Sequence, residues 1–256
     1  MSLPDLLLLA LAGFAAGGMN ALAGGGTFFS FPALLAAGLP PVTANATNAV
    51  ALWPASLAGA WAARASLRPL GRYLLPLLLA GLAGGLLGGL LLLAGGDDVF
   101  RVLIPWLLLA ATALFAASPW LGRALAARRK AAEHPPHTPL SLGAHIGVSI
   151  YGGYFGAGMG ILQLAAFSIE GHPLARANAL KNLISAVIYS IATLTFVIAG
   201  RVSWYELAIL LTGATVGGYV GGALGEKLPP ALLRSFVILV GSTMTLYYFW
   251  RTYFSA

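Results

Sequence analysis

GGMNALAGGGTFFSFPALLAAGLPPVTANATN, residues 17–48, has a counterpart half a chain later in GVSIYGGYFGAGMGILQLAAFSIEGHPLARANALKN, residues 147–182. Gly38, Pro40, Ala44 and Asn45 align with Gly171, Pro173, Ala177 and Asn178 at an offset of 133, and Gly24 and Gly26 align with Gly156 and Gly158 at 132. Each copy is a glycine cluster in apolar surroundings, followed by a short apolar run, a Gly-x-Pro corner and an asparagine-bearing run. Two hydrophobic segments interrupted by glycine at corresponding places in two halves are the sequence pointer to a transporter binding site.

Composition sets the medium. Of 256 residues, 59% are hydrophobic and 8% are charged, against about 25% charged in soluble domains. Such a chain cannot cover itself with polar groups in water and belongs in a bilayer. The net charge of +7 does not point to nucleic acid, because the basic residues sit in short gaps between apolar runs, as loop arginines do. Without cysteine, disulfides, thiolate metal sites and cysteine nucleophiles are excluded. Met1–Asp5 carries no Lys or Arg, so a cleavable signal peptide is not expected.

Eight apolar runs lie near 5–24, 44–63, 71–94, 99–117, 141–168, 174–199, 203–224 and 230–250. Each is close to the roughly 20 residues that cross about 30 Å of hydrocarbon, and lipid-exposed backbone must be helical to satisfy itself. The expected fold is an all-α membrane protein of about eight helices in two repeated halves, with a glycine-broken, re-entrant or spanning segment opening each. Residues 27–39 are too short to span and suit a half-helix after the Gly24–Gly25–Gly26 break, as residues 163–171 do after Gly158. Residues 1–117 are expected to form the first membrane repeat, 118–139 a cytoplasmic linker rich in basic residues, and 140–256 the second repeat. If every run spans once, the halves are parallel, with 9 Lys and Arg inside and Arg101, Arg176, Lys227 and Arg234 outside. If the broken segments are hairpins, the halves are inverted, with 10 inside and Arg101, Arg201 and Arg251 outside. The positive-inside bias does not separate these arrangements.

Lys181 is the sharpest single residue. A lysine within a spanning run costs roughly 2.5–3.5 kcal/mol on insertion scales; the alternative to a functional role is snorkelling toward the interface. Asn178, Lys181 and Asn182 share one helix face by their i, i+3, i+4 spacing, and Asn45 and Asn48 repeat the i, i+3 relation. Asparagines alone can serve interhelical hydrogen bonding, worth about 0.6 kcal/mol each. Repeated, and joined by a lysine, they suggest a site for an anion. Gly24, Gly25, Gly26, Gly156 and Gly158 let helices break so that positively polarised N-termini face such a ligand, with Thr27 and Gln163 just past the breaks as donors. Glycines of the third and seventh runs are assigned to close helix packing. His145, Glu170 and Glu206 are candidates for carrying a coupling proton, with an interfacial position as the alternative for Glu170, His172 and Glu206. Acidic residues are otherwise missing from the run interiors, so a carboxylate cation cage is not expected. GAGMG at 156–160 lacks the strand and acidic partner of a nucleotide loop, and no catalytic set, metal site or cofactor motif is present.

The glycine-rich run before Pro32, the ANATN stretch at 44–48, the second glycine-rich copy at 152–160 and ANALKN at 177–182 resemble the sulfite exporter TauE/SafE family of small integral membrane permeases. The two-halved plan with one central loop extends the likeness to nearly the whole chain. Where the family commonly has Gly-Thr-Ser or Gly-Thr-Asn, this chain has Ala46-Thr47-Asn48, which adds Thr47 to the candidate site. The resemblance implies a bacterial inner-membrane permease for sulfite, thiosulfate, sulfonates or related organic anions. The residues themselves favour an anion and say nothing of sulfur.

The expected function is therefore an anion permease that works by alternating access, with the bilayer and a small anion as partners, proton coupling and a homo-oligomer open, and no enzymatic activity. A passive channel lined by the same groups and a scaffold subunit without transport are the alternatives. A divalent metal as substrate is disfavoured by Lys181 and the scarcity of carboxylates.

Overall fold

The computed structural model describes residues 3–22, 25–62, 64–127, 138–224 and 230–254. Among these the chain is helical, without strands: α1 (Leu3–Leu22), α2 (Thr27–Ala36), α3 (Pro41–Ala62), α4 (Arg64–Leu67), a 3-10 helix (Arg68–Tyr73), α5 (Leu74–Ala127), α6 (Pro139–Tyr154), α7 (Met159–Ile169), α8 (Leu174–Ile198), α9 (Trp204–Leu224) and α10 (Pro230–Tyr253). Leu3–Asn20, Arg64–Trp120 and Leu174–Ile198 have the length and apolar character to cross a membrane; Thr27–Ala36 and Met159–Ile169 are apolar but short. Large apolar side chains such as Leu79, Leu90, Trp106, Tyr219 and Leu239 point outward, as on a lipid-facing surface.

A straight helix the length of α5 would run about 80 Å at roughly 1.5 Å per residue, far more than a bilayer. It is broken at Gly96 (φ 67, ψ −173) and folds back on itself. Before the break, Gly84 and Gly88 lie against Ile146 and Ile150 of α6. After it, Phe100 stacks edge-on against Tyr154, 5.6 Å between ring centres. The runs read at 71–94 and 99–117 are the two arms of this element. The second arm continues to Ala127, into the stretch read as the linker, because residues 121–127 are mostly Leu, Ala and Arg, good helix formers. The basic residues Arg128, Arg129 and Lys130 lie outside the described residues.

The run at 141–168, for which the sequence left one span or a hairpin broken near Gly158 open, is two helices. α6 ends at Tyr154, α7 begins at Met159, and α7 returns alongside α6: Met159 lies against Gly152, and the rings of Phe167 and His145 are 4.5 Å apart. α1 and α2 make the corresponding turn. The corners after α2 and α7 are also alike. Leu39 N–H donates to the Leu34 carbonyl at 3.2 Å and His172 N–H to that of Phe167 at 3.1 Å, while Ala44 and Ala177 N–H groups donate to Pro40 and Pro173 at 2.8 Å.

Helix directions follow from the contacts. α3 and α8 are antiparallel, since Thr47 meets Ser203 beyond the end of α8 at 3.0 Å, Trp53 meets Ser190 at 2.8 Å and Gly59 meets Asn182 at 3.5 Å. α1 and α9 are parallel, with Gly13 on Leu210 and Gly17 on Ala214. The first arm of α5 runs parallel to α8, with Gly81, Gly85 and Gly89 on Ile184, Ile188 and Phe196. The molecule thus has one face carrying Arg64, Arg68 and Arg72, where α3 ends and α8 begins. The opposite face carries Asp97 and Asp98, where α3 begins and α8 ends. α1–α2 enters from the aspartate face and α6–α7 from the arginine face.

At the α1–α9 contact the backbones touch. A Cβ at Gly17 would collide with backbone atoms of Ala214, and one at Gly217 with those of Phe14, whereas Gly143 and Gly147 face open space. Without a hydrophobic force inside lipid, such close approach supplies the association. Gly17→Val is expected to lower the melting temperature of the purified protein by several degrees, on an overpacking cost of about 1–3 kcal/mol, while Gly147→Ala leaves it within a degree or two. Equal melting of both variants would remove the packing role.

Candidate functional site

The two helix breaks meet at one point. Gly25 (φ 93), Gly156 (φ 82) and Gly158 (φ 76) all have left-handed backbone, a conformation that costs other residues roughly 1 kcal/mol or more. The Tyr189 hydroxyl of α8 lies between them. It lies near Thr27 at the start of α2, and it would sit 3.0 Å from a Cβ placed on Gly156. The chain reversal also leaves polar backbone deep in the molecule. Asn45 Nδ2 donates to the Tyr154 carbonyl at 2.9 Å, and the Tyr151 hydroxyl donates to the Ala157 carbonyl at 2.5 Å. A buried carbonyl without such a donor would cost a few kcal/mol.

Around this point is a cavity of about 760 Å³, lined by Gly25, Gly26, Thr27, Gly156, Gly158, Asn178, Lys181, Asn182, Ser185 and Tyr189, and by Ala55, Ala58 and Gly59 of α3. Its deep end reaches Ala51, Leu52 and Tyr189, which are buried; its mouth, at Ala55, Ala58 and Asn178, is exposed on the arginine face. Toward the aspartate face the way is closed. Phe31, Phe100 and Phe155 interlock there, with ring centres 5.4–6.1 Å apart. Behind them Thr47 Oγ1 accepts from Ser203 N–H at 3.0 Å, and Asp97 Oδ1 accepts from Val42 N–H at 2.8 Å.

The predicted site residues divide accordingly. Gly25, Gly26, Thr27, Gly156, Gly158, Asn178, Lys181 and Asn182 line the cavity. Gly24 lies outside the described residues. Asn45, Thr47, Asn48 and Gln163 are buried and do not line it. Asn45 and Thr47 hold the closed side. Asn48 ties down α2, its Oδ1 accepting from Ser30 Oγ at 2.5 Å and its Nδ2 reaching Thr27 Oγ1 at 3.4 Å. Gln163 Oε1 accepts from Ser185 Oγ at 2.9 Å. Lys181 occupies in α8 the position of Asn48 in α3, but its stem lies 3.5 Å from a Cβ placed on Gly160, and among the described residues it has no hydrogen-bond or ion-pair partner. It is the free cation on the cavity wall. Of the acid–base candidates, Glu206 bonds Ser203 at the start of α9, whereas His145 and Glu170 pair at 2.8 Å beneath the α6–α7 hairpin.

The sequence reading missed Ser185 and Tyr189. Their signal was present, since 178, 181, 182, 185 and 189 continue one i, i+3, i+4, i+7, i+11 stripe along α8. A tyrosine in an apolar run reads as packing until the breaks are placed against its hydroxyl. No cluster of His, Asp and Glu able to hold a metal occurs among the described residues.

Residues 9–248 match the family described as Sulfite exporter TauE/SafE. A protein named Probable membrane transporter protein YfcA, from Escherichia coli (strain K12), is 30% identical over 92% of this chain and 84% of its own length. A Probable membrane transporter protein of Haemophilus influenzae is 28% identical over 94% of this chain and 93% of its own. One from Sinorhizobium sp, ORF9, is 28% identical over 94% and 91%. No solved structure matches.

The cavity geometry predicts a labelling pattern in this cysteine-free chain. Ala58→Cys, at the mouth, should react with a membrane-impermeant maleimide, and Ala46→Cys, fully buried on the closed side, should react at least about tenfold more slowly. Comparable rates would contradict a cavity closed toward the aspartate face.

Proposed function

This chain belongs to the sulfite exporter TauE/SafE family, and we propose that it moves a small anion, a sulfur oxyanion or organosulfonate such as sulfite, across the cytoplasmic membrane by alternating access. That it is a multi-pass bacterial membrane transporter rests on the family and on relatives named as membrane transporters. The anion reading is carried by Lys181: an unpartnered cation in a cavity where two helix breaks converge. A lysine inside a membrane segment costs several kcal/mol, and a ligand of opposite charge offsets that cost. Asn178 and Asn182 add neutral amide donors on the same wall, which suits oxygens of a sulfo or sulfite group. Among the described residues no acidic side chain lines the cavity, so a cation finds no counter-charge there.

The halves are read as inverted repeats. Helices at matching positions run in opposite directions: α3 against α8, α1 (parallel to α9) against α6 (parallel to α8). Matching residues are in different environments, Asn45 being 2% exposed and Asn178 open to the cavity. In this reading the structure is one of two related states, and the halves exchange roles when the other face opens. The arginine face carries Arg64, Arg68, Arg72, Arg176 and Arg234 against Arg101, Arg201 and Arg251 on the other, so the positive-inside bias makes it cytoplasmic and the cavity inward-facing. The aromatic closure on the aspartate face disfavours a continuous channel.

The test is uptake of labelled sulfite, thiosulfate and sulfoacetate into proteoliposomes. Saturable uptake of at least one is expected. Lys181→Ala should lower uptake roughly tenfold to a hundredfold, the scale of one charge-assisted hydrogen bond, with Lys181→Arg intermediate. Equal uptake by wild type and Lys181→Ala would sink the assignment of Lys181, and unsaturable flux would favour a channel.

A further inference from the structure

Four titratable side chains meet away from the cavity, beneath the α6–α7 hairpin. His145 Nε2 is 2.8 Å from Glu170 Oε1, the other oxygen of Glu170 is 3.7 Å from His172 Nε2, and the same His172 nitrogen is 2.9 Å from the Tyr73 hydroxyl. They come from three places: α6, the α7–α8 corner and the 3-10 helix that follows α4. His145 is 2% exposed and His172 0%, with Glu170 at 12%. Phe167 lies against both imidazoles, with ring centres at 4.5 and 5.9 Å. Tyr73 is the half-buried outer end of the row, and Glu170 and, after it, Arg176 of α8 are the charged groups that act on it. At the inner end, His145 Nδ1 is buried with no hydrogen-bond partner.

This arrangement is expensive for a purely structural tie. An apolar trio would hold the hairpin to α8 without burying a carboxylate, whose charge costs several kcal/mol out of water unless it is neutralised. It also occurs once. By the offsets that relate the two glycine segments, the first half has Gly13, Ala37 and Leu39 where the second has His145, Glu170 and His172, and none of those can titrate. The row joins the second half's hairpin to a segment of the first half, so it spans two bodies that alternating access would move against each other.

We propose that Tyr73, His172, Glu170 and His145 form a proton-binding site whose occupancy drives the anion step. A carboxylate between two imidazoles offers three basic sites to one mobile proton. With the proton bound, an imidazolium–carboxylate pair is neutral overall and holds α6, the α7–α8 corner and the 3-10 helix together. With the proton released, the buried carboxylate is left uncompensated and that tie weakens. Tyr73, toward the arginine face, is the hand-over point to solvent, and the anion binds separately at Lys181. The coupling rests on the anion reading above; the proton site does not.

The experiment has two arms on the full-length protein. In the first, infrared difference spectra of purified protein between about pH 5 and pH 8, the range in which imidazole titrates, are expected to show carboxyl and imidazole bands that disappear in Glu170→Gln. Spectra in which Glu170→Gln matches wild type overturn the site. In the second, reconstituted protein is assayed for sulfite exchange at equal pH and for sulfite accumulation driven by a pH gradient. Glu170→Gln is expected to keep exchange within about twofold and to lose gradient-driven accumulation at least tenfold. Tyr73→Phe, which removes only the outer hydroxyl, should slow accumulation with exchange intact. Gradient-driven accumulation retained in Glu170→Gln overturns the coupling. Lys181→Ala should lower both transport readouts by the same roughly tenfold to hundredfold while leaving the infrared titration unchanged, and wild type that titrates but exchanges no sulfite removes the anion reading and leaves the proton site standing.

Discussion

Every polar group of the backbone must find a partner where no water is available, and this chain violates helical self-satisfaction twice, at the same depth. Most of what distinguishes the structure answers that violation. The Tyr154 carbonyl is met by Asn45 from the other half, and the Ala157 carbonyl by Tyr151. These side chains lie on the helices that pack around the breaks, so the breaks are also what hold the two halves in register. The left-handed glycines make the reversals sterically open; the borrowed donors make them affordable in free energy.

The same constraint produces asymmetry. On the aspartate face the polar residues of α3 are consumed by structure, since Asn45, Thr47 and Asn48 are each bonded and buried. On the arginine face the matching stretch of α8 is turned toward open space, and its lysine, in the place of Asn48, has no partner among the described residues. Chemistry is therefore available on one side only. The aromatic interlock of Phe31, Phe100 and Phe155 has no polar group to offer a ligand, so it separates the cavity from the far face by both size and solvation.

Much of the local architecture was legible along the chain. The glycine clusters marked both breaks, the Gly-x-Pro corners marked the ends of α2 and α7, and the i, i+3, i+4 spacing put Asn178, Lys181 and Asn182 on one face. The run at 141–168 left a single span and a hairpin both open, because apolar length alone cannot register a reversal and the break is visible only as glycine content. The two arms of α5 were legible as runs, while their continuity and the sharp fold at Gly96 were not. Gln163 and Asn48 have the chemistry of ligand donors, and their distance from the cavity wall depends on Ser185 and Ser30, partners 22 and 18 residues away.

By itself the sequence determined the medium, the helical class, the places where helices must break and the presence of one costly lysine, because composition, periodicity and glycine act locally along the chain. Only the tertiary structure decided that the two breaks meet at Tyr189, that α3 and α8 run antiparallel, and that Asn178 faces the cavity while Asn45 is sealed. Those outcomes depend on which helix lies beside which, and in an apolar medium that is set by close contacts such as Gly17 on Ala214, whose partners are far apart in sequence.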